Sequence, residues 1–546
     1  MNKRILFLLL FSFALTYGQS DYLNYESLSK KLKEFESKSK FCKVKSIGKS
    51  SGGKDLWLVT LSESTKPKPA LLITAGIDGK HQVGTQMAVQ LIDQLLKSEN
   101  LSKLLSEKTL YFVPSVNPDA MDAFFGKLKM EKSGNATKTD DDRDGQIGED
   151  PFEDMNNDGL ITQIRIEDVS GTYIESPDDP RLLVKADPTK NQIGKYLVLS
   201  EGFDNDKDGN FNEDFSEGVN IDKNFTFDHP VFEKGSGVYV ASEPETRALL
   251  DFLYLNQNIY AVFTFGMHNN LSEAPKYDSK MASSRIIKSW LEKDVKTGEL
   301  VSSLYTEKAK IKDAPKSPMT KGNFAQTAYY HAGRLSFSTP GWWIPKEEVK
   351  KDSSQVKFEK PKKDSVEPNQ ELAYLNWATK ENLTNVFVNW TPVKHPDFPN
   401  QKAEVGGFVP YALNNPPAKY LEESTTKHKL FLEEFLAAMP KIETTTPVVE
   451  KVQNDLYRVT VKVVNKGLLP TYTEIGDKIR FVSRMKTEVV LTKNQSIVSG
   501  RKYFLRNAMQ AGESEEYSWL ISGSGKVTIQ TGCATTGVKE LIVELK

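Results

Sequence analysis

Cysteine is nearly absent from this chain of 546 residues, since Cys42 and Cys533 are the only two and lie near opposite ends. Two thiols exclude a thiolate metal cluster and a densely cross-linked small scaffold. Any zinc in this protein therefore needs histidine and carboxylate ligands. The two cysteines can form one disulfide in an oxidising compartment, but the sequence gives no reason to pair them.

An excess of charge of either sign is absent as well. Lys and Arg number 72 against 73 Asp and Glu, so the formal net charge is −1. This balance provides no general basic surface for nucleic acid or an anionic membrane. Hydrophobic residues make up 38% and charged residues 27%, which is typical of a globular protein with a substantial core. The length predicts two or three folded units.

The amino-terminal apolar run is too short to cross a membrane. It covers residues 5–15 and follows Lys3 and Arg4. A basic flank and an apolar stretch of this length predict a secretory signal over residues 1–18, cleaved before Gln19. A buried amino-terminal helix is the alternative. We therefore expect an exported protein, periplasmic or extracellular, with no transmembrane span in the mature chain.

Short apolar runs alternate with a helical pattern in the first half of the chain. This order predicts an α/β domain with a parallel or mixed central sheet flanked by helices. In such domains the loops at the carboxyl ends of strands carry ligands. Asp78, His81 and His268 each follow a predicted buried strand. The runs are an edge hairpin at 44–61, buried strands at 70–75, 110–113 and 261–265, and a helix at 83–96.

The pattern changes towards the carboxyl terminus. After a polar linker at 440–447, short runs of alternating polarity begin, for example at 456–464. Roughly a hundred residues of such strands indicate a separate β-sandwich. The predicted domains are therefore an α/β domain over 20–440, with an acidic insertion at 138–214, and a β-sandwich over 447–546.

Five segments between about residues 40 and 437 occur in the order in which a known family has similar segments. They are the hairpin entry at 47–50, the strand and loop at 70–85, the strand and loop at 113–119, the segment 218–225, and the strand 264–268. In these segments the chain resembles the M14 family of zinc carboxypeptidases. The resemblance implies a carboxypeptidase-like fold, three protein ligands on zinc, and peptide hydrolysis by a zinc-bound water.

The metal site that the resemblance implies is altered in this chain. Where the family has H-x-x-E, the sequence reads Asp78-Gly79-Lys80-His81, so the carboxylate and the imidazole have exchanged places. Both side chains are competent zinc ligands. We therefore predict zinc at Asp78, His81 and His268. The alternative is that Asp78 caps the following helix and His81 is a polar loop residue.

The residues that the resemblance assigns to the substrate depart from the family as well. Asp222 and Lys223 stand where the family has Asn-Arg, and lysine supplies the charge without the bidentate fork of arginine. Arg165 loosely matches another family arginine, and Tyr330 ends a segment that resembles a late family helix. These four residues are the candidate substrate-binding set.

The family's catalytic glutamate has no counterpart at the expected position, where Pro340 or Gly341 stands. Glu404 is the candidate replacement for a general base. A structural loop acid is the alternative for Glu404, because two glycines follow it closely. Without a carboxylate at this place, peptide hydrolysis is expected to lose orders of magnitude.

Three acidic strings in the insertion share the pattern D-x-[DN]-x-D-G. This spacing places oxygens around a tight turn and is typical of calcium loops. The glutamate of an EF-hand at position twelve is missing, so we predict short calcium turns that rigidify the insertion. A solvated acidic loop is the alternative. The predicted ligands are Asp140, Asp142 and Asp144, then Asp154, Asn156 and Asp158, then Asp204, Asp206 and Asp208.

The favoured function is therefore a zinc-dependent metallocarboxypeptidase that hydrolyses peptides or peptidoglycan-derived peptides outside the cytoplasm. Zinc is the expected cofactor and calcium a second metal. One alternative is a degenerate family member that binds peptide or glycan without hydrolysis. Another is a deacylase or amidase on the same scaffold, since a fold does not determine its substrate.

Overall fold

The computed structural model of the protein describes residues 21–140, 145, 147–148, 150–205, 207, 209, 211, 218–345 and 370–546. The predicted signal segment at 1–18 lies outside the described residues, as do Asp142, Asp144, Asp206 and Asp208. Within the described ranges, no helix has both the length and the apolar character that a membrane crossing requires.

The described chain folds into helices and strands that alternate in its first half and become mostly strands at its end. The helices are α1 (Tyr25–Lys38), α2 (Gln82–Leu96), α3 (Leu101–Glu107), α4 (Ala120–Phe125), α5 (Pro244–Leu255), α6 (Ser279–Ser283), α7 (Glu292–Ser303), α8 (Phe324–Tyr330), α9 (Gln370–Lys380), α10 (Leu421–Ala438) and α11 (Glu474–Ile479). The strands before the carboxyl-terminal region are β1 (Cys42–Lys49), β2 (Asp55–Leu61), β3 (Ala70–Ala75), β4 (Thr109–Val113), β5 (Gln163–Glu167), β6 (Tyr173–Glu175), β7 (Leu183–Lys185), β8 (Tyr196–Ser200), β9 (Ile259–Phe265), β10 (Leu335–Thr339), β11 (Phe387–Val393) and β12 (Ala403–Phe408).

The first sheet is mixed and has the order β1-β2-β4-β3-β9-β10. Strands β4, β3, β9 and β10 run parallel, whereas β1 and β2 form an antiparallel hairpin at one edge. Every residue of β3 and β9 is buried, as expected for parallel strands covered on both faces. The predictions of an edge hairpin, buried central strands and an α/β domain are confirmed.

Helices cover both faces of this sheet. Helix α2 contributes an almost wholly buried face and packs against α10. On the amino-terminal side, α1 is capped by Asn24, whose side chain accepts a hydrogen bond from Ser27 N at 2.9 Å. The buried side chains Leu28, Leu32 and Phe35 of α1 join the main core.

A second sheet, antiparallel and of six strands, lies outside this core. Its order is β11-β12-β5-β8-β6-β7, so residues of the acidic insertion pair with strands more than 200 residues further along the chain. One face packs a small apolar cluster that contains Ile164, Ile166, Ala403 and Val405. Because side chains alternate along a strand, Arg165 and Glu404 lie on the opposite face.

The carboxyl-terminal region forms two further antiparallel sheets around a separate apolar core. The strand β15 alternates between buried and exposed residues, as its sequence predicts. The nine strands are β13 (Ile442–Thr444), β14 (Val448–Gln453), β15 (Leu456–Asn465), β16 (Met485–Val490), β17 (Ser496–Ser499), β18 (Tyr503–Arg506), β19 (Ser514–Ser522), β20 (Gly525–Cys533) and β21 (Gly537–Leu545).

The two parts of the chain meet in a hydrogen-bonded junction. The buried Asp294 carboxylate of α7 accepts hydrogen bonds from Glu474 N at 2.7 Å and Ile475 N at 3.0 Å. Amide groups in the first turn of a helix have no partner within the helix, so a carboxylate at this place stabilises α11. Tyr260 of β9 donates its hydroxyl to the Pro470 carbonyl oxygen at 2.9 Å.

Candidate functional site

Polar side chains follow three parallel neighbours of the first sheet, at the point where each strand ends. Asp78 and His81 follow β3, His268 follows β9, and Pro340 follows β10. Because the carboxyl ends of parallel strands meet at one edge, the loops converge there. The short 3-10 turn Ile221–Lys223 adds Asp222 to the same place. We call Asp78, His81, Asp222 and His268 the His/Asp cluster.

Asp78 is held by two donors. Its Oδ1 accepts a hydrogen bond from Lys80 N at 2.8 Å, and its Oδ2 accepts one from Asn220 Nδ2 at 2.9 Å. Burial raises the pKa of the Asp78 carboxyl, and the nearby charge of Asp222 adds to the rise. Each oxygen of the Asp78 carboxyl group therefore already accepts one hydrogen bond from a local donor.

His81 stands at the start of α2 and is 2% exposed. Its Nε2 lies 3.0 Å from the Pro340 carbonyl oxygen, which can only accept, so Nε2 carries the proton. Its Nδ1 is buried and has no hydrogen-bond partner among the described residues. The absent side chain of Gly84 makes room for this nitrogen, because a Cβ there would lie 2.8 Å from Nδ1. Burial lowers the pKa of His81 to about 4, so the ring is neutral.

His268 is paired with Asp222. Its Nε2 lies 3.2 Å from Asp222 Oδ2 and 3.2 Å from Thr320 Oγ1, and its Nδ1 lies 2.9 Å from the Pro318 carbonyl oxygen. Burial alone lowers the pKa of His268, but the hydrogen bond and charge of Asp222 outweigh it, so the pKa lies above its usual value. Asp222 in turn accepts Phe324 N at 3.0 Å. The two side chains thus form a buried hydrogen-bonded pair.

The cluster brings together the three residues that were predicted to bind zinc, Asp78, His81 and His268. Among the residues that the structure describes, no three His, Cys, Asp or Glu side chains are grouped so as to hold a metal ion. His81 and His268 each turn one ring nitrogen towards a main-chain carbonyl, an outer contact that metal-bound histidines also make. The unpartnered Nδ1 of His81 is the one ring nitrogen left open for a ligand.

Arg165 and Glu404 lie together on the second sheet. They are cross-strand partners of β5 and β12, and Arg165 Nε donates to Glu404 Oε2 at 2.7 Å. The guanidinium is sandwiched between the rings of Tyr196 at 4.8 Å and Trp390 at 4.7 Å. Within the described chain, neither Arg165 nor Glu404 bonds to a member of the His/Asp cluster.

Tyr330 and Lys223 have different surroundings. Tyr330 is buried, and its ring stacks on Phe227 with centroids 4.0 Å apart, a packing contact. Lys223 is half-buried, and its Nζ donates to the Lys234 carbonyl oxygen at 3.2 Å. No ion pair joins Lys223 to a carboxylate among the described residues. Lys223 follows Asp222 of the cluster directly in the chain.

The described parts of the acidic strings bind their own backbone. Asp154 Oδ2 accepts Gly159 N at 2.7 Å, and its Oδ1 accepts Asp158 N at 3.1 Å. Asn156 Oδ1 also accepts Asp158 N, at 3.0 Å. In the other two strings, Asp140 Oδ2 accepts Gly145 N and Asp204 Oδ2 accepts Gly209 N, each at 3.1 Å. All three turns share one closing bond, from the glycine to the first aspartate.

The sequence did not predict the structural roles of two residues of the site. Asp222 was placed in the substrate set but pairs with His268, and Pro340 was recognised as a missing glutamate but serves as the acceptor for His81. The paired residues are 46 and 259 positions apart in the sequence. Each contact involves at least one position where the chain departs from the family pattern, which is the signal that could have linked them.

Comparison with known protein families gives two matches. A family model described as zinc carboxypeptidase, Peptidase M14, matches residues 28–338, more than half of the chain. A second model, described as a domain of unknown function (DUF8731), matches residues 441–544.

Curated relatives match over short stretches. Carboxypeptidase SOL1 of Arabidopsis thaliana is 29% identical over 151 residues, covering 26% of this chain and 29% of the relative. Carboxypeptidase M of Mus musculus is 30% identical over 86 residues, covering 14% and 19%. The zinc carboxypeptidase of Saccharothrix mutabilis subsp. capreolus is 23% identical over 113 residues, covering 19% and 26%. The chain thus spans less than a third of the length of these relatives.

Solved structures resemble the chain more weakly. Bovine thrombin-activatable fibrinolysis inhibitor, in complex with tick carboxypeptidase inhibitor, has a TM-score of 0.39 at 12% identity and covers 76% of this chain and 96% of its own. Carboxypeptidase A from Helicoverpa armigera has a TM-score of 0.37 at 13% identity and covers 58% and 64%. We draw no conclusion from similarities of this size.

Proposed function

The chain belongs to the zinc carboxypeptidase (M14) family, and we propose that it binds the carboxyl-terminal ends of peptides outside the cytoplasm without hydrolysing them. Family membership supports a metallocarboxypeptidase-like function. The loss of hydrolysis is a further step, and the location outside the cytoplasm rests on the signal predicted at residues 1–18. Whole-protein activities of the relatives do not transfer, because the matched stretches are short.

One contact carries the proposal. His81 stands where the family has a ligand glutamate. Pro340 is one of the two residues, with Gly341, at the place expected for the catalytic glutamate, and His81 and Pro340 are hydrogen-bonded at 3.0 Å. The two departures from the family pattern are therefore linked, because the His81 ring donates its Nε2 proton to the Pro340 carbonyl oxygen. The bond occupies Nε2 and leaves a carbonyl oxygen where a proton-accepting carboxylate is needed to activate water.

The residues present also fit zinc poorly. A hydrolytic zinc site needs three protein ligands and an open fourth position. In the His/Asp cluster, Asp78 already accepts two hydrogen bonds, and His268 Nε2 already contacts Asp222. His81 and His268 are 2% and 6% exposed, which leaves little access for a peptide carbonyl. We therefore derive no hydrolytic step for this site.

Lys223 is the proposed contact for the peptide carboxylate. It occupies the position of a family arginine, it is half-buried, and it lacks a carboxylate partner among the described residues. An ammonium group binds a carboxylate as a point charge, so the affinity is expected to be modest and sensitive to salt. Glycan binding is the other form of this hypothesis and is an outcome of the test below.

The experiment is equilibrium binding of fluorescent peptides to the mature chain. A peptide with a free carboxyl terminus should bind about tenfold more tightly than its carboxy-amidated form, a difference of one charge contact. Lys223→Met should remove this difference, whereas Lys276→Met, at an exposed site elsewhere, should keep it. Equal affinity for both peptides, or competition by glycans alone, would contradict the proposal.

Zinc-dependent hydrolysis at Asp78, His81 and His268 is the second candidate function. The observation that favours it is the buried, unpartnered Nδ1 of His81, a nitrogen with a free lone pair. Zinc analysis of protein refolded without chelator separates the candidates. One equivalent of zinc that is lost in both His81→Gln and His268→Gln would favour hydrolysis over binding alone.

Calcium binding by the acidic strings is a further proposal. The glycine-to-aspartate bonds of all three turns support a shared turn design, and an oxygen-rich turn is what calcium requires. Its role would be to order the insertion beside the second sheet.

A further inference from the structure

Arg334 is the most unusual charged residue outside the His/Asp cluster. It lies directly before β10, is 1% exposed, and sits at the junction with the carboxyl-terminal domain. Next to it, the Gly333 carbonyl oxygen accepts a hydrogen bond from Thr473 Oγ1 at 2.7 Å. Nearby, the rings of Tyr254 and Phe481 make an edge contact across the same junction at 4.7 Å.

The guanidinium of Arg334 has a single weak partner. Its Nη2 donates to Gln257 Oε1 at 3.3 Å, whereas Nε and Nη1 are buried and have no partner among the described residues. Gln257 is neutral, and no carboxylate of the described chain forms an ion pair with Arg334. Five N–H donors of a buried guanidinium are thus served by one neutral oxygen.

This arrangement leaves a positive charge without compensation. Burial lowers the pKa of Arg334 to about 10, so the side chain is still charged at neutral pH. A buried charge that lacks an opposite charge and hydrogen bonds is strongly destabilising. Some group must therefore balance the guanidinium when the two domains are joined.

Two titratable groups lie close enough to Arg334 for a negative charge on them to raise its pKa. They are Cys533, at the end of β20, and Tyr254. Thr535 Oγ1 donates to the Thr471 carbonyl oxygen at 2.8 Å, so its lone pairs face Cys533 Sγ at 3.2 Å and accept a hydrogen bond from the thiol. Burial raises the pKa of the Tyr254 phenol, which is therefore neutral.

We propose that a small monovalent anion, of the charge and size of chloride, binds the unpartnered guanidinium nitrogens of Arg334 at the domain junction. The ligand is a small inorganic anion, because the Arg334 side chain is only 1% exposed and a large anion could not reach it. The guanidinium donors provide charge-assisted hydrogen bonds to it.

The position of the site gives the anion a structural role. Arg334 and Tyr254 belong to the first domain, and Cys533 and Thr473 to the carboxyl-terminal one. An anion that binds the folded junction and not the unfolded chain stabilises the folded state in proportion to the logarithm of its concentration. The junction should therefore be more stable in chloride than in salts of large anions.

The test is thermal unfolding of the full mature chain at constant ionic strength, with chloride replaced stepwise by gluconate. The melting temperature should rise by about 1–2 °C for each tenfold increase in chloride above the dissociation constant. Arg334→Met should lose this dependence and should melt higher than wild type in gluconate, because it removes an uncompensated charge. Arg484→Met should keep it, because Arg484 is exposed, lies near the same domain junction and has no ion-pair partner among the described residues.

Other outcomes decide against the site. A wild type that does not respond to chloride, or an Arg334→Met that still does, overturns the proposal. Cys533→Ala tests whether the thiolate is the counter-charge. If this variant melts lower than the wild type in the absence of chloride, and only at alkaline pH, the counter-charge is the thiolate and the anion proposal is overturned. Bromide-soaked crystals of the wild type provide a test that needs no variant. An anomalous peak beside Arg334 supports the site, and ordered water alone in its place refutes it.

Discussion

The His/Asp cluster at the edge of the first sheet differs from the Arg165 face of the second sheet in how completely its polar atoms are paired. On the second sheet, the Arg165 guanidinium has two carboxylate partners and two aromatic rings. At the first sheet, a buried nitrogen of His81 has no partner among the described residues. Full pairing is typical of a structural ion pair, whereas an open buried nitrogen marks a place where a ligand, an ion or a water molecule can bind.

The largest expected effect concerns the ion pair of the second sheet. Arg165→Met should destabilise the protein by about 3–5 kcal/mol, because it leaves Glu404 without its partner. Peptide binding at the first sheet should not change. Urea unfolding measures the loss, and Lys402→Met, at a nearly fully exposed lysine, serves as the control with little effect. A loss of peptide binding in Arg165→Met would break the distinction between the two regions.

A fully satisfied histidine beneath the first sheet sharpens the contrast with His81. His428 of α10 bonds Ser424 O at 2.8 Å and Tyr305 Oη at 3.1 Å, and burial lowers its pKa to about 4. The unfolded histidine takes up a proton near pH 6.5 and the folded one only near 4. Stability should therefore fall by about 3 kcal/mol as the pH drops through this window.

His428→Gln should reduce this acid sensitivity, as measured by urea unfolding between pH 7 and 4. The variant is expected to be less stable than wild type at neutral pH and to lose less as the pH falls. An identical pH slope in both proteins would show that His428 is not neutral in the folded state.

A smaller effect is expected at Gly84, which faces the open nitrogen of His81. Gly84→Ala should destabilise by about 1–2 kcal/mol, because the new Cβ would lie 2.8 Å from His81 Nδ1 and 3.0 Å from Phe265 O. Alanine otherwise favours a helix over glycine by about 1 kcal/mol, so the two effects have opposite signs. A stabilised variant in thermal unfolding would mean that His81 is free to move away.

The smallest expected effect belongs to the acidic strings next to the second sheet. Millimolar calcium should stabilise the chain by about 1 kcal/mol, as measured by the melting temperature. Asp154→Asn should reduce the gain, whereas Asp251→Asn, at an exposed aspartate of α5, should not. An equal gain in both variants would place the calcium response elsewhere.

The sequence predicts the first sheet well because its signals are local. A continuous apolar run such as 70–75 requires burial on both faces wherever it lies, and β3 has this run. The position of Asp78, His81 and His268 at the carboxyl ends of strands follows from the same local pattern. The structure brings these three residues together.

The second sheet could not be predicted in the same way. Its strands are short, and β5 pairs with β12 across more than 200 residues, so no local pattern links Arg165 to Glu404. The contact between His81 and Pro340 depends equally on a distant pairing. Residue types and spacing identify which groups are available, whereas the partner of each group is decided by the packing of distant strands.

The most direct test of the central claim is mass spectrometry of a defined peptide pool incubated with the mature chain and excess zinc. Our account predicts that peptides with free carboxyl termini are retained by the protein and recovered at full length. Progressive release of carboxyl-terminal residues, abolished by a chelator, would contradict it and assign hydrolysis to the His/Asp cluster.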